Sequence, residues 1–348
     1  MRPFATWAAV CALALCACAQ EPAPTVQLKM DTSEADAVLS IIEARAAGRQ
    51  PAEADWQRLF ATEPYIRLQQ REAQMKRDFT DEQFREFVLS AKLAARGPAM
   101  RATLEQWKRA QLEAGAERVL AYLPAGARIR AKVYPMIKPV TNSFVFDVGT
   151  DPAIFLYLDP EISRLKFENT VAHELHHIGF ASLSDQMDQD LQSYPANVHS
   201  ALEWMGAFGE GFAMLAAAGG RDADPHAVST AEERAIWERD LANFNRDLKE
   251  LESFFLDVIQ GRFPSKDEER KKAFSFFGEA QGPWYTVGWR MAQMVEKRYG
   301  RVVLLECMTH PQELLRAYNQ VAAEHNRRGE AWELWSEELL TAVEPPSD

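Results

Sequence analysis

The chain has 348 residues, of which 47% are hydrophobic, and its formal net charge is −12 at pH 7. A chain of this length and composition can bury a core as one large domain or as two lobes. The acidic balance argues against nucleic acid as a partner, because binding to phosphates requires clustered positive charge.

The N-terminus is predicted to be an export signal. An apolar run from Phe4 to Ala19 follows a basic start and is short for a membrane span. The sequence Leu15-Cys16-Ala17-Cys18 resembles a bacterial lipoprotein box, which predicts a signal peptide over residues 1–17 and a lipid on Cys18. Ordinary cleavage after Ala19 is the alternative. We therefore expect an exported, periplasmic or cell-envelope protein that contacts the membrane only through this anchor, with the outer membrane as its location.

Residues 18–32 are expected to form a tether, and residues 33–123 a helical N-terminal lobe. Apolar residues recur at helical spacing through this lobe. Thr80-x-x-Gln83 and Thr103-x-x-Gln106 match the capping box, in which two side chains satisfy free amide groups at a helix start. The predicted helices are Ala35–Ala47, Ala54–Phe60, Tyr65–Lys76, Asp81–Ala95 and Ala99–Leu123.

Pro124-Ala125-Gly126 marks a change to extended patterns and opens a second domain, residues 124–348. Runs of alternating or β-branched residues predict three strands just before a helix, so we expect a small sheet packed on that helix. An edge strand there can bind an extended peptide through main-chain hydrogen bonds, and packing within the sheet is the alternative role. The predicted strands are Ala127–Val133, Ser143–Val148 and Ala153–Leu158.

The helix-patterned stretch from Phe167 to Phe180 contains an HExxH sequence, in which His173 and Glu174 are followed by His177. Residues four apart lie on one helix face with Cβ atoms roughly 5–6 Å apart, so the two histidines can bind one zinc ion. Glu174 projects about 100° round the helix, where its carboxylate can act as general base on a water. The alternative is a surface helix with a histidine cluster. Against it, burying these groups in an apolar helix without partners would cost several kcal/mol.

The spacing after this motif excludes two ways of completing a zinc site. In metzincins a glycine and a histidine follow three and six residues after the second histidine, where this chain has Phe180 and Leu183. The tight thermolysin-like arrangement needs a glutamate about twenty residues downstream, where the chain has Pro195, Ala196 and Asn197. A third ligand must therefore come from elsewhere in the sequence.

Glu210 is the only charged residue in the apolar stretch from Trp204 to Ala218. A lone carboxylate in such a helix must be paired, protonated or bound to a metal, so we predict Glu210 as the third ligand. Glycines on both sides of it suggest that another helix approaches closely. Glu203, on nearly the same helix face, is the reserve ligand, and His199 is a weaker alternative. His176, between the two ligand histidines, is expected near the metal or on the solvent side without binding it.

The C-terminal part is predicted to be helical again. Tyr285 lies in the first turn of one of these helices, where its hydroxyl can stabilise an oxyanion, and ordinary packing is the alternative role. Cys307 follows an apolar run and is expected in the core, with no internal disulfide. The predicted helices are Ala231–Phe255, Lys266–Phe277, Trp284–Tyr299 and Pro311–His325.

The stretches TNSFVFDVG, FENTVAHELHHIGF, GEGFAMLAAAGG and GPWYTVGWRMA, in this order, resemble the gluzincin branch of the zincin metallopeptidases and a group of bacterial zinc-dependent peptidases. The resemblance implies an α+β, predominantly α-helical fold, with a zincin-like metallopeptidase domain over residues 124–348 and a small β-sheet packed on the HExxH helix. It implies one Zn²⁺ ion held by His173, His177 and Glu210, with Glu174 as base and Tyr285 as oxyanion donor. The chain departs from the best-known gluzincins because its glutamate lies further from the second histidine.

These observations predict a zinc-dependent metallopeptidase that hydrolyses peptide bonds of a peptide or protein substrate. The first alternative is a non-catalytic zinc-binding envelope lipoprotein, although a pure binding site has no need of Glu174. The second is a zinc amidase that acts on a cell-envelope polymer, which the acidic charge of the chain disfavours if that polymer is anionic. The sequence leaves open the side-chain preference and whether cleavage is internal or terminal.

Overall fold

The structure is a computed structural model that describes residues 25–184, 191–278 and 281–345. The predicted signal peptide 1–17 and the predicted lipid attachment site Cys18 lie outside these residues. Most of the described chain is helical and carries one small sheet, so the predicted α+β, predominantly α-helical fold is confirmed. Within the described ranges, no helix has both the length and the apolar character needed to cross a bilayer.

The helices before the sheet are α1 (Ser33–Ala46), α2 (Glu53–Phe60), α3 (Glu63–Gln74), α4 (Asp81–Val88), α5 (Ala91–Trp107) and α6 (Leu112–Leu120). The helices that follow the sheet are α7 (Arg164–Ala181), α8 (Ala196–Met205), α9 (Gly209–Ala218), α10 (Ala231–Ala242), α11 (Phe244–Ile259), α12 (Lys266–Ser275), α13 (Pro283–Tyr299), α14 (Arg301–Thr309), α15 (Pro311–Asn326) and α16 (Glu337–Ala342). A short 3₁₀ turn, Gly206–Phe208, separates α8 from α9.

Three helix boundaries differ from the prediction, one of them because the predicted helix Ala99–Leu123 is divided between α5 and α6. The predicted break between Ala95 and Ala99 is wrong, because α5 runs through Pro98 and packs Gly97 against α1. The break lies earlier, at Ser90, whose side chain accepts a hydrogen bond from the amide of Leu93 and starts α5. The predicted helix Ala231–Phe255 is also divided, between α10 and α11.

The two predicted capping boxes had different outcomes. Thr80 and Gln83 cap α4 reciprocally, as predicted. Thr103 instead lies buried inside α5, so no helix starts there. The motif is satisfied only where the threonine itself has an extended backbone, as Thr80 does.

The sheet has four strands among the described residues, in the order β1 (Val26–Met30), β2 (Ile129–Met136), β4 (Ala153–Tyr157) and β3 (Phe144–Phe146). β1 and β4 run parallel to β2, whereas β3 is an antiparallel edge strand. The three predicted strands are confirmed. Sequence analysis missed β1, which lies in the segment predicted as a tether. This strand has only a short alternation of buried and exposed residues. It is stabilised by pairing with β2, about a hundred residues away along the chain.

Helix α7 packs on the sheet through a contact that only a glycine permits. A Cβ atom at Gly179 would overlap the side chain of Leu123 and lie 3.1 Å from Cγ1 of Ile129 in β2. Near the start of α7, the ring of Phe167 stacks on Trp107 of α5 at 4.1 Å between centroids. The expected packing of the sheet on this helix is thus confirmed.

Helices α9 and α13 approach each other backbone to backbone. A Cβ atom at Gly211 would overlap backbone atoms of Gly288 and Trp289, and one at Gly288 would lie 2.7 Å from the carbonyl oxygen of Phe208. The predicted close approach is therefore confirmed at Gly211. Gly209, by contrast, faces open space. Cys307 in α14 is buried, as predicted for a core residue.

The helix contact at Gly211 yields a stability prediction. We expect Gly211→Ala to lower the free energy of unfolding by about 1–3 kcal/mol, because the methyl group forces α9 away from α13. Gly209→Ala is the matched control, two residues away, and is expected to be neutral or stabilising by up to about 1 kcal/mol. Chemical denaturation measures both variants, and equal stability of the two would contradict this packing.

Candidate metal centre

Helix α7 brings the two predicted ligand histidines onto one face. The helix starts at Ser163, whose side chain accepts a hydrogen bond from the amide of Lys166. One turn apart, the rings of His173 and His177 lie 4.7 Å apart between centroids and are nearly perpendicular. Their Nε2 atoms are 3.1 Å from each other. Two imidazole nitrogens therefore face one small volume, as the HExxH spacing predicts.

Glu210 supplies the third donor from the first turn of α9. Its Oε2 atom lies 3.0 Å from Nε2 of His173 and 3.1 Å from Nε2 of His177. The three predicted metal residues are thus brought together, and they form the candidate metal site among the described residues.

The donor triangle fits a zinc ion. Three donors bound tetrahedrally at 2.0–2.1 Å from one ion are about 3.4 Å apart. The observed separations of 3.0–3.1 Å are only slightly smaller, so a small outward shift of the side chains admits the ion. Two imidazole nitrogens and one carboxylate oxygen are also a donor set that zinc hydrolases use.

The electrostatics of the site couple Glu210 to the histidines. Burial by itself would raise the pKa of Glu210, but its hydrogen bonds with His173 and His177 outweigh burial and hold that pKa well below its usual range. Burial would lower the pKa of His177, but the hydrogen bond with Glu210 and the charges of Glu210 and Glu174 raise it. The carboxylate is therefore ionised and available to a cation.

The site is more open on the side of His177 than on the side of His173. The side chain of His173 is 13% exposed and that of Glu210 is 19% exposed, whereas that of His177 is 32% exposed. Nδ1 of His173 is buried and has no hydrogen-bond partner among the described residues. Of the three donor residues, His177 is therefore the most accessible to solvent.

The reserve ligand lies away from this site. The side chain of Glu203 is 63% exposed and pairs with His199 at 3.6 Å. The prediction had placed Glu203 and Glu210 on one continuous helix. The 3₁₀ turn Gly206–Phe208 breaks that helix, so the spacing of seven residues no longer puts both carboxylates on one face. The structure thus brings Glu210, and not Glu203, to the two histidines.

Tyr285 lies beside the donor triangle, and the charge of Glu174 acts on both His177 and Tyr285. The ring of Tyr285 lies nearly parallel to that of His173, at 6.2 Å between centroids. Burial is the main reason that the pKa of Tyr285 lies far above its usual range, and the charges of Glu210 and Glu174 add to it. Tyr285 therefore keeps its proton and is a hydrogen-bond donor within the site.

His176 does not lie on the solvent side. Its ring is buried, and Nε2 lies 3.3 Å from the carbonyl oxygen of Tyr122, just after α6. Burial, together with the neighbouring His177 and His173, lowers the pKa of His176 to about 3, so the ring is neutral and donates to that carbonyl. It ties α7 to the preceding segment of the chain.

Sequence analysis missed the part of the site that α14 and α15 build. Met308 and Leu314 from these helices line a pocket beside His177. The run of apolar residues before Cys307 suggested burial but carried no information about which element it would cover. Only the fold places Cys307 and Met308 next to His177.

Comparisons with known proteins give a match at the level of the family alone. Neither a curated protein nor a solved structure matches the chain. A family model described as "Putative zinc dependent peptidase (DUF5700)" matches residues 56–327, which include α7, α9 and Tyr285. Since the matched range covers more than half of the sequence, the chain belongs to the DUF5700 family of putative zinc dependent peptidases.

Proposed function

We propose that this protein is a zinc-dependent metallopeptidase of the gluzincin type, which holds one Zn²⁺ ion through His173, His177 and Glu210. The observation that carries the proposal is the convergence of two Nε2 atoms and one carboxylate oxygen to within 3.0–3.1 Å of one another. Membership of the peptidase family supports the same chemistry. Under this proposal residues 124–348 form the zincin-like metallopeptidase domain, and residues 33–123 form a helical lobe.

The residues around the donor triangle have different roles in the proposed hydrolysis of a peptide bond. A bound zinc ion supplies a Lewis acid and lowers the pKa of a water to about 7. Glu174 accepts the proton of the attacking water and passes it to the leaving amine. Tyr285 holds its proton and donates a hydrogen bond to the carbonyl oxygen as negative charge develops there.

The expected site of action is the cell envelope. Export and lipidation at Cys18 would place the protein in the periplasm, anchored to the outer membrane, with a peptide or protein as substrate. The N-terminal segment is tied to the body of the protein at β1, so the predicted tether is shorter than 18–32. If the wild-type protein is found in the membrane fraction and the Cys18→Ala variant is absent from it, the lipid anchor is supported.

Zinc content distinguishes the two candidate ligand glutamates. We expect Glu210→Gln to weaken zinc binding by at least tenfold, because a neutral amide replaces the carboxylate that faces both histidines. Glu203→Gln is the matched control from the preceding helix and is expected to bind one zinc ion per chain, like the wild type. Metal analysis after dialysis against a weak chelator measures both. Loss of zinc from Glu203→Gln alone would refute the assignment.

Glu174→Gln tests the catalytic part of the proposal. We expect this variant to keep zinc and to lose activity on a mixed peptide library by about 10²–10⁴-fold, because an amide cannot accept the proton of water. Mass spectrometry of the digested library measures cleavage, and zinc content is the internal control. Turnover like that of the wild type would contradict the role of Glu174 as general base. Wild-type protein that binds zinc but cleaves nothing would indicate a binding lipoprotein, and cleavage of peptidoglycan amides alone would indicate an amidase.

Tyr285→Phe tests the oxyanion role. Removing one such donor costs about 10²–10³-fold in kcat, so we expect a loss of that size with zinc binding retained. Tyr299→Phe is the matched control near the other end of α13, where the hydroxyl donates to Gln320 at the surface. Wild-type kcat for Tyr285→Phe would show that this tyrosine only packs against His173.

A further inference from the structure

An apolar pocket adjoins the candidate metal centre on its open side. Its walls come from the C-terminal end of α7, the α8–α9 turn and helices α14 and α15. It is lined, among others, by His177, Gly206, Gly209, Phe212, Met308 and Leu314. Among the described residues, no aspartate, glutamate, lysine or arginine lines it.

Two glycines create the room in this pocket. A Cβ atom at Gly206 or at Gly209 would meet no atom within 4 Å, whereas one at Gly211 would overlap backbone. Gly209 directly precedes Glu210, and His177 forms part of the wall. The empty space therefore begins beside two of the three metal ligands.

The size of the pocket limits what can enter it. The pocket has a volume of about 60 Å³. An apolar cavity of about 150 Å³ holds a benzene ring, so a ring does not fit here, whereas a short aliphatic side chain does. Apolar walls without a charged group favour such a side chain over a polar one.

We propose that this pocket is a specificity pocket that receives a short aliphatic side chain, such as that of valine, from the residue next to the cleaved bond. The inference rests on the proposed peptidase function and adds a substrate class to it. His177 links the pocket to the candidate zinc site, because it lines the pocket and is the most exposed of the three donor residues. Leu314 of α15 is one of the apolar side chains that line the pocket.

Amino-acid hydroxamates test the pocket without requiring turnover. Each binds zinc through the same hydroxamate group, so affinity relative to glycine hydroxamate isolates the contribution of the side chain. We expect the zinc-loaded full chain to bind valine hydroxamate about tenfold more tightly than glycine hydroxamate. Phenylalanine hydroxamate is expected to gain nothing over glycine hydroxamate. Calorimetric titration measures all three dissociation constants.

Matched variants identify the pocket as the source of this preference. Leu314→Ala enlarges it, and phenylalanine hydroxamate should then gain about tenfold over glycine hydroxamate. Leu315→Ala removes an equally buried leucine from the same helix outside the lining and should keep the wild-type ratios. Gly206→Val fills the open space and should abolish the advantage of valine, which keeps the test informative if Leu314→Ala fails to fold.

The possible results separate this proposal from the one on which it rests. Stoichiometric zinc with equal affinity for all three hydroxamates would overturn the pocket and leave the peptidase proposal intact. A preference that Gly206→Val leaves unchanged would also overturn the pocket. A chain that binds neither zinc nor any hydroxamate would overturn both proposals together.

Discussion

The contact between the Glu210 carboxylate and two imidazoles is the constraint on which the rest of the structure depends. Glu210 stands alone among apolar residues of α9, where an unpaired charge would cost several kcal/mol. It is tolerated because His173 and His177 lie 3.0–3.1 Å away on α7. Holding α9 at that distance requires a partner on its other side. Helix α13 is that partner, and Gly211 allows the backbones of α9 and α13 to contact each other.

The same arrangement prepares the site for chemistry. Because α13 is packed so closely on α9, Tyr285 at its start reaches both the ring of His173 and the carboxylate of Glu210. His176 points the other way and ties α7 to the carbonyl oxygen of Tyr122. Helix α7 therefore carries the two donor histidines on one face and an anchor on another, so its rotation about its axis is fixed. Preorganised donors of this kind need little rearrangement during a reaction.

The site was more predictable from sequence than the fold around it, for a physical reason. Ligand spacing on one helix and an isolated charge in an apolar run are local signals, and they identified His173, His177 and Glu210. Glu203 is kept away from the two histidines by a 3₁₀ turn. The amino acids of this turn are little different from those of an α-helix, so the sequence does not reveal it. β1 and the passage of α5 through Pro98 depend on contacts with distant residues, which local patterns do not contain. For the same reason, the part of the pocket wall that α14 and α15 form could not be predicted from the sequence.

The donor triangle joins two helices that are separate in sequence, so an ion bound there would act as a cross-link of the folded chain. The unfolded chain has no such convergence, and mass action then favours the folded state. At a free ion concentration a hundred times its dissociation constant, the gain is about 2.7 kcal/mol. Metal supply would thus govern the survival of the protein as well as its activity. In a compartment that contains proteases, molecules without the ion would unfold more often and be degraded first.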